Sequence, residues 1–265
     1  MEKLKLLRDK TGAGMVDCQK ALTEASGDID QAVEILRKKG IAKAAKRSQR
    51  EAGEGVVKVA LSGDAKTGYI VEINAETDFV VRSEKFQEFA ERVMQLVREK
   101  QPKDLAELMS LNFDNSTVKE NLDSLSGVIG EKLDIKRYDL LKSAGTVAAY
   151  SHLGGRIGVL AALDKEGQSD IAYDLAMQIA AANPKYIRPE DVASAELAKE
   201  QEIYREQLLK EGKPENMIEK IMVGKLAKFY EAVCLVKQEY IKDDSKKVED
   251  ILGEVKAEKF IRYSL

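Results

Sequence analysis

A repeat constrains this chain more than any other feature of its sequence. Gly55-Val56-Val57-Lys58-Val59-Ala60-Leu61 is matched downstream by Gly145-Thr146-Val147-Ala148-Ala149-Tyr150. After each comes a glycine-containing turn and a second strand, Tyr69 to Asn74 in one half and Arg156 to Leu163 in the other. Each second strand leads to a helix with apolar residues three and four apart: Ser83 to Val97, and Ser169 to Ala182. Far downstream each half closes on a similar strand, Ile135-Lys136-Arg137-Tyr138 and Phe260-Ile261-Arg262-Tyr263. A β-β-α unit with a returning strand, used twice, predicts two small three-stranded antiparallel sheets with packed helices, an α+β fold.

Each half carries an insertion before its last strand. In the first, Leu105 to Leu111 and Val118 to Leu133 read as helical. In the second, Gly212-Lys213-Pro214 breaks a charged helical stretch into a hairpin at about 190–230. Its apolar seam is thin (Leu197, Leu208, Ile218, Ile221, Met222) and resembles a short coiled coil. Such a seam can zip the two helices together or serve a second copy in a homodimer.

Ahead of the repeat, residues 1–40 read as a three-helix module. Leu4 and Leu7 mark the first helix; Cys18, Ala21, Leu22 and Ala25 the second; Ile29, Ala32, Val33 and Leu36 the third. Asp28 is placed to cap the third helix, and Gly40 to end it in a left-handed conformation. So small a core should move relative to the rest. Residues 37–50 follow with seven Lys or Arg and no aromatic residue, a linker or solvated helix with a weak option for RNA. The expected division is 1–50, then 51–142, then 143–265 with the inserted hairpin.

Thr77-Asp78-Phe79-Val80 interrupts this regular plan, joining the second strand of the first half to its helix. Phe79 belongs neither to the strand pattern nor to the helix stripe. A wet phenylalanine forfeits roughly 1.5–3 kcal/mol of burial. Folding back under its own sheet is the simpler account; the rival is a partner's pocket.

The charge balance narrows the function. With 43 Lys and Arg against 46 Asp and Glu among 265 residues, the chain is no general polyanion binder. No apolar run of membrane length occurs, and residues 1–14 lack the apolar core of a secretory signal. A cytoplasmic protein is expected, with Cys18 and Cys234 as buried thiols. A single histidine, His152, precludes a His-rich metal site. No phosphate loop, complete dinucleotide fingerprint or nucleophile elbow is present. No catalytic residue, metal or cofactor is expected, and the residues favour a binding protein over an enzyme. His152 sits before the Gly154-Gly155 turn, either as a half-exposed structural residue or as a contact.

Taken together, these stretches resemble the translation elongation factor Ts family. Arg8-Asp9-Lys10-Thr11-Gly12-Ala13-Gly14-Met15 through Cys18, Lys20-Ala21-Leu22 and Gly27-Asp28 is similar to its N-terminal signature. Asn74 to Val80 is similar to a second signature, and His152 to Val159 to a third. The resemblance implies a guanine-nucleotide exchange factor whose partner is elongation factor Tu, both GDP-bound and nucleotide-free. It implies an N-terminal ubiquitin-associated-like (UBA-like) domain, a core of two subdomains and a coiled-coil hairpin. By position, Asp78 and Phe79, with Thr77 and Val80, would press into the GTPase near the nucleotide's Mg²⁺. Ile129 and Gly130 would line the same contact, His152 would add one from the second subdomain, and Arg8 and Met15 would belong to an N-terminal contact. A looser correspondence falls at Ile241. Gln19 stands where some members carry a second basic residue after the cysteine, so the resemblance does not carry a charge contact over to that position.

Overall fold

The structure, a computed structural model, describes residues 2–114 and 116–265. Helices α1 (Glu2–Thr11), α2 (Met15–Glu24) and α3 (Ile29–Ala45) come first. They enclose a small core of Leu7, Cys18, Ala21 and Ala32. Asp28 accepts the Gln31 N–H at 2.9 Å and so caps α3.

The first half of the repeat contains β1 (Glu54–Leu61), β2 (Thr67–Ala75), the single turn α4 (Asp78–Val81) and α5 (Glu84–Lys100). Its insertion supplies α6 (Leu105–Ser110), the short ladder β3 (Asn112–Phe113) and β4 (Ser116–Thr117), and α7 (Val118–Ile129). Strand β5 (Leu133–Lys142) returns beside β2. The second half repeats the plan with β6 (Thr146–His152), β7 (Ile157–Leu163) and α8 (Ser169–Ala182). Then come the hairpin α9 (Ser194–Lys210) and α10 (Glu215–Val233), the ladder β8 (Glu239–Tyr240) and β9 (Asp243–Lys247), α11 (Val248–Leu252) and β10 (Ala257–Ser264). The sheets are antiparallel and three-stranded in equivalent orders, β1-β2-β5 and β6-β7-β10.

The two sheets pack face to face. Alternate residues of each strand point to opposite sides. Val57, Ile70 and Leu141 therefore meet Val147, Leu160 and Tyr263 between the sheets. Val56, Tyr69 and Val71 turn outward to Phe86, Phe89 and Val93 of α5. On the far side, Val159 and Ala161 meet Leu175 and Ile179 of α8. With both faces covered, β2 is buried at every position from Gly68 to Ala75 rather than alternating, its polar residues Glu72 and Asn74 included. Gly158 is a packing requirement here: a Cβ on it would lie 2.4 Å from Val57 Cγ1.

An ionic network also joins the halves. Glu72 of β2 is fully buried and bonded by the Arg137 Nε at 2.5 Å, with the Lys136 Nζ at 3.2 Å. The Arg137 guanidinium lies 4.0 Å from the centre of the Tyr263 ring and donates to the Ser264 carbonyl. The Tyr263 hydroxyl donates to Asp139 at 2.8 Å. Burial, followed by that carboxylate, pushes the Tyr263 phenol well above its ordinary range.

Two expectations change. Gly40 does not end α3. The helix runs on to Ala45 because Gly40 is its crossing point with α7, where Gly127 is the opposing residue. Much of the basic stretch is consequently helical and docked: Arg37 pairs with Glu120, and Arg47 donates to the Ser126 carbonyl at 3.3 Å. Phe79 does not fold under its sheet but is 82% exposed. The hairpin seam forms within the chain, with Leu208, Ile218 and Met222 buried between α9 and α10. Cys18 and Cys234 are both buried and free, and burial pushes the Cys234 thiol up to about 11.

Candidate partner-docking site

Helix α4 exists because Thr77 caps it. Thr77 is extended, and its hydroxyl accepts the Val80 N–H at 3.4 Å. Within this single turn the side chains divide by direction. Val80 and Val81 pack on the core of the first half, while Phe79 points to solvent. Asp78 occupies the first helical position, where the helix dipole favours a carboxylate, and pairs with Arg82 one turn on at 3.0 Å. Ser83 then caps α5 by accepting the Phe86 N–H. Two caps six residues apart, Thr77 and Ser83, hold the segment, with an apolar ring and a carboxylate at its tip.

The turn between α7 and β5 underpins this tip. Ile129 packs on the first core, and Gly130 ends α7 with φ +93°, a conformation that favours glycine. The next residue, Glu131, accepts both the Thr77 N–H at 3.0 Å and the Thr77 hydroxyl at 2.8 Å. Glu76 reciprocates, accepting the Lys132 N–H at 2.5 Å and pairing with Arg50 at 3.2 Å. The Lys132 N–H, and then Arg50, hold the Glu76 carboxyl below its ordinary range. Thr77 to Val80 and Ile129-Gly130 thus form one cluster.

His152 reaches the same end of the molecule through its turn. Leu153, Gly154 and Gly155 all have positive φ. The Gly155 carbonyl accepts the Val57 N–H at 2.7 Å, and Arg156 pairs with Glu54 at 3.0 Å. Glu54 is the register partner of Ala75, immediately before the Glu76–Val81 segment. His152 Nδ1 and the Tyr150 hydroxyl lie 2.9 Å apart, and the Tyr150 ring meets Tyr173 edge-on at 5.6 Å. Leu153 is 66% exposed beside them, a second apolar tip.

The N-terminal module contributes from the side. Its Gly12 carbonyl accepts from Lys85, at the start of α5, at 3.4 Å. Arg8 and Met15 flank that loop and are exposed, Met15 at 56%. Ile241 belongs elsewhere, to the β8–β9 hairpin, where its N–H donates to Gln178 of α8. Glu76, Glu131, Tyr150 and Leu153 were not singled out from sequence. Glu76 and Leu153 fall inside the stretches that carry the family resemblance and Tyr150 inside the repeat, but no local signal marks any of the four as a site residue.

Among the described residues no group of three or more His, Cys, Asp or Glu is placed to hold a metal ion, and no helix is long and apolar enough to cross a membrane. The family model described as "Elongation factor TS" matches residues 76–265. Among curated relatives, the Elongation factor Ts of Clostridium perfringens strain SM101 is 45% identical over 274 residues, covering 98% of this chain and 90% of that protein. Those of Prosthecochloris aestuarii and Chlorobaculum tepidum are 42% and 44% identical, each covering 99% of this chain and 96% of the relative. The chain belongs to the elongation factor Ts family, and with it to the proteins of translation elongation.

Proposed function

We propose that this protein is the guanine-nucleotide exchange factor of elongation factor Tu, acting in the cytoplasm by binding alone and not as an enzyme. The observation that carries the reading is Phe79: a large apolar ring, 82% exposed, at the tip of a doubly capped turn and adjacent to a carboxylate. An aromatic held out into solvent on a doubly capped turn suits an anchor for a partner's pocket. GDP and Mg²⁺ are held in a charge-dense site where the metal offsets phosphate repulsion. Asp78, carried in by Phe79, would compete for the polar groups that order that metal's surroundings. Thr77 and Val80 hold the wedge in place, and Ile129 and Gly130 would line the same contact. His152 would engage the partner from the second half, Arg8 and Met15 from the N-terminal module, and Ile241 from the β8–β9 hairpin. The bodies 1–50, 51–142 and 143–265 would then each supply part of one surface.

Exchange by a wedge has a thermodynamic signature. If bound factor weakens GDP, GDP must weaken the factor by the same ratio. Titrating the protein against elongation factor Tu, nucleotide-free and GDP–Mg²⁺-bound, should give affinities whose ratio equals its effect on GDP affinity. Equal affinity for the two forms would contradict the reading. An RNA-binding role for 37–50 is less favoured, because Arg37, Lys39, Lys43 and Arg50 are engaged with Glu120, Glu24, Asp17 and Glu76.

A further inference from the structure

Besides its own caps and the packing of Val80 and Val81, the exposed tip at Phe79 is tied down by side-chain hydrogen bonds, and one side chain makes two of them. Glu131 grips Thr77 through both the backbone N–H and the hydroxyl, at 3.0 and 2.8 Å. Thr77 is the residue whose hydroxyl caps α4, so its orientation decides where Asp78 and Phe79 point. Val80 and Val81 pack the inner side of the turn on the first core, and the Gln87 amide donates to the Val81 carbonyl at 2.7 Å, whereas the Thr77 end is gripped by Glu131.

Glu131 is itself fixed from behind. Its carbonyl accepts the Ser126 hydroxyl at 2.5 Å, and Ser126 is 2% exposed. The Ser126 carbonyl receives both the Gly130 N–H, closing α7, and the Arg47 guanidinium from the segment after α3. Beside it, Lys132 donates its backbone N–H to Glu76 and its ammonium to the Arg50 carbonyl, at 3.0 Å. Moving the 130–132 turn would therefore disturb the base of the wedge and the docked end of the N-terminal module together.

We infer that Glu131 is a positioning residue: its bidentate grip on Thr77 sets the presentation of Asp78 and Phe79, without itself touching the partner's nucleotide. Its consequence for exchange rests on the function proposed above; the grip on Thr77 does not. A bidentate carboxylate acceptor strengthens both bonds relative to neutral ones and fixes direction as well as distance. The carboxylate is also what accepts two donors at once; an amide in its place offers one oxygen and turns a donor toward the other.

The test uses the full chain with Glu131→Ala and Glu131→Gln. In the free protein, amide hydrogen exchange from Thr77 to Val80 should speed up by about tenfold or more in the alanine variant and less in the glutamine variant, since two charge-assisted bonds are lost in the first and one is retained in the second. Release of a fluorescent GDP analogue from elongation factor Tu at saturating factor should slow in the same order, with the melting temperature shifted only slightly. Unchanged protection at 77–80 would overturn the inference. So would protection lost evenly across the whole first sheet with an unchanged maximal rate, because that marks a merely structural carboxylate. Should wild-type protein fail to release the analogue at all, the proposed function falls, while the protection data still decide whether Glu131 orients the turn.

Discussion

Gly127 of α7 lies against Gly40 of α3 so closely that a Cβ on Gly127 would sit 2.4 Å from the Gly40 Cα. The neighbouring atoms are backbone, so no side chain can swing aside. Gly127→Ala should therefore part the two helices even though alanine favours an isolated helix over glycine by about 1 kcal/mol. Loss of protection in residues 29–45, with the sheets still protected, would show that the crossing holds the N-terminal module in place. An unchanged or more stable module would refute the crossing.

Phe79 and Phe86 stand on consecutive turns at opposite extremes of exposure, 82% and 0%. Phe86→Ala should cost about 3–5 kcal/mol in chemical denaturation, as deletion of a buried aromatic does. Phe79→Ala should change stability by no more than about 0.5 kcal/mol, in the range of surface substitutions. A large loss from Phe79→Ala would mean that the ring is a core residue in solution.

Glu72 predicts an asymmetry between removing one partner and replacing both. Arg137→Ala leaves a fully buried carboxylate with the Lys136 ammonium and the Asn74 side-chain amide, each at 3.2 Å, and no partner on its other oxygen among the described residues. The expected loss is about 3 kcal/mol, toward the lower end for a broken buried pair because Lys136 remains. The Glu72→Met/Arg137→Met double variant should lose less than the single one, measured by urea unfolding.

Acid should loosen the base of the wedge at a definable point. The Glu76 carboxyl lies below its ordinary value of 4.5 because the Lys132 N–H, and then Arg50, favour its charged form. The folded protein binds this proton more weakly than the unfolded chain does. Its contribution to stability is thus complete above the ordinary value and is lost as the pH falls through the depressed one. The Lys132 amide resonance should titrate in that lower window. Titration at or above 4.5 would contradict the contact.

Much of the architecture was legible because it is local or repeated. The strand pairs recur in order, Ser83 and Asp28 announce helix starts, and Gly212-Lys213-Pro214 marks the hairpin turn. Gly40 was misread because a glycine near a plausible helix end carries the same local signal whether it caps a helix or admits a neighbouring one. Only the distant Gly127 distinguishes the two. The exposure of Phe79 was likewise undecidable from the residues alone, since burial depends on how α4 is rotated. That rotation is set by Glu131, 54 positions away in sequence from Thr77. The resemblance to a known family pointed to Asp78 and Phe79; the residues that hold them became visible only in three dimensions.

The central claim is that the α4 tip drives nucleotide release. The most direct measurement is the rate of fluorescent GDP-analogue release from elongation factor Tu with wild-type protein, Asp78→Ala, Phe79→Ala and the double variant, each verified as folded. The account predicts strong acceleration by wild type and loss of most of it in the double variant. Phe79→Ala should act chiefly through affinity for nucleotide-free partner, and Asp78→Ala through the maximal rate. Full acceleration by the folded double variant would contradict it and move the wedge away from this turn.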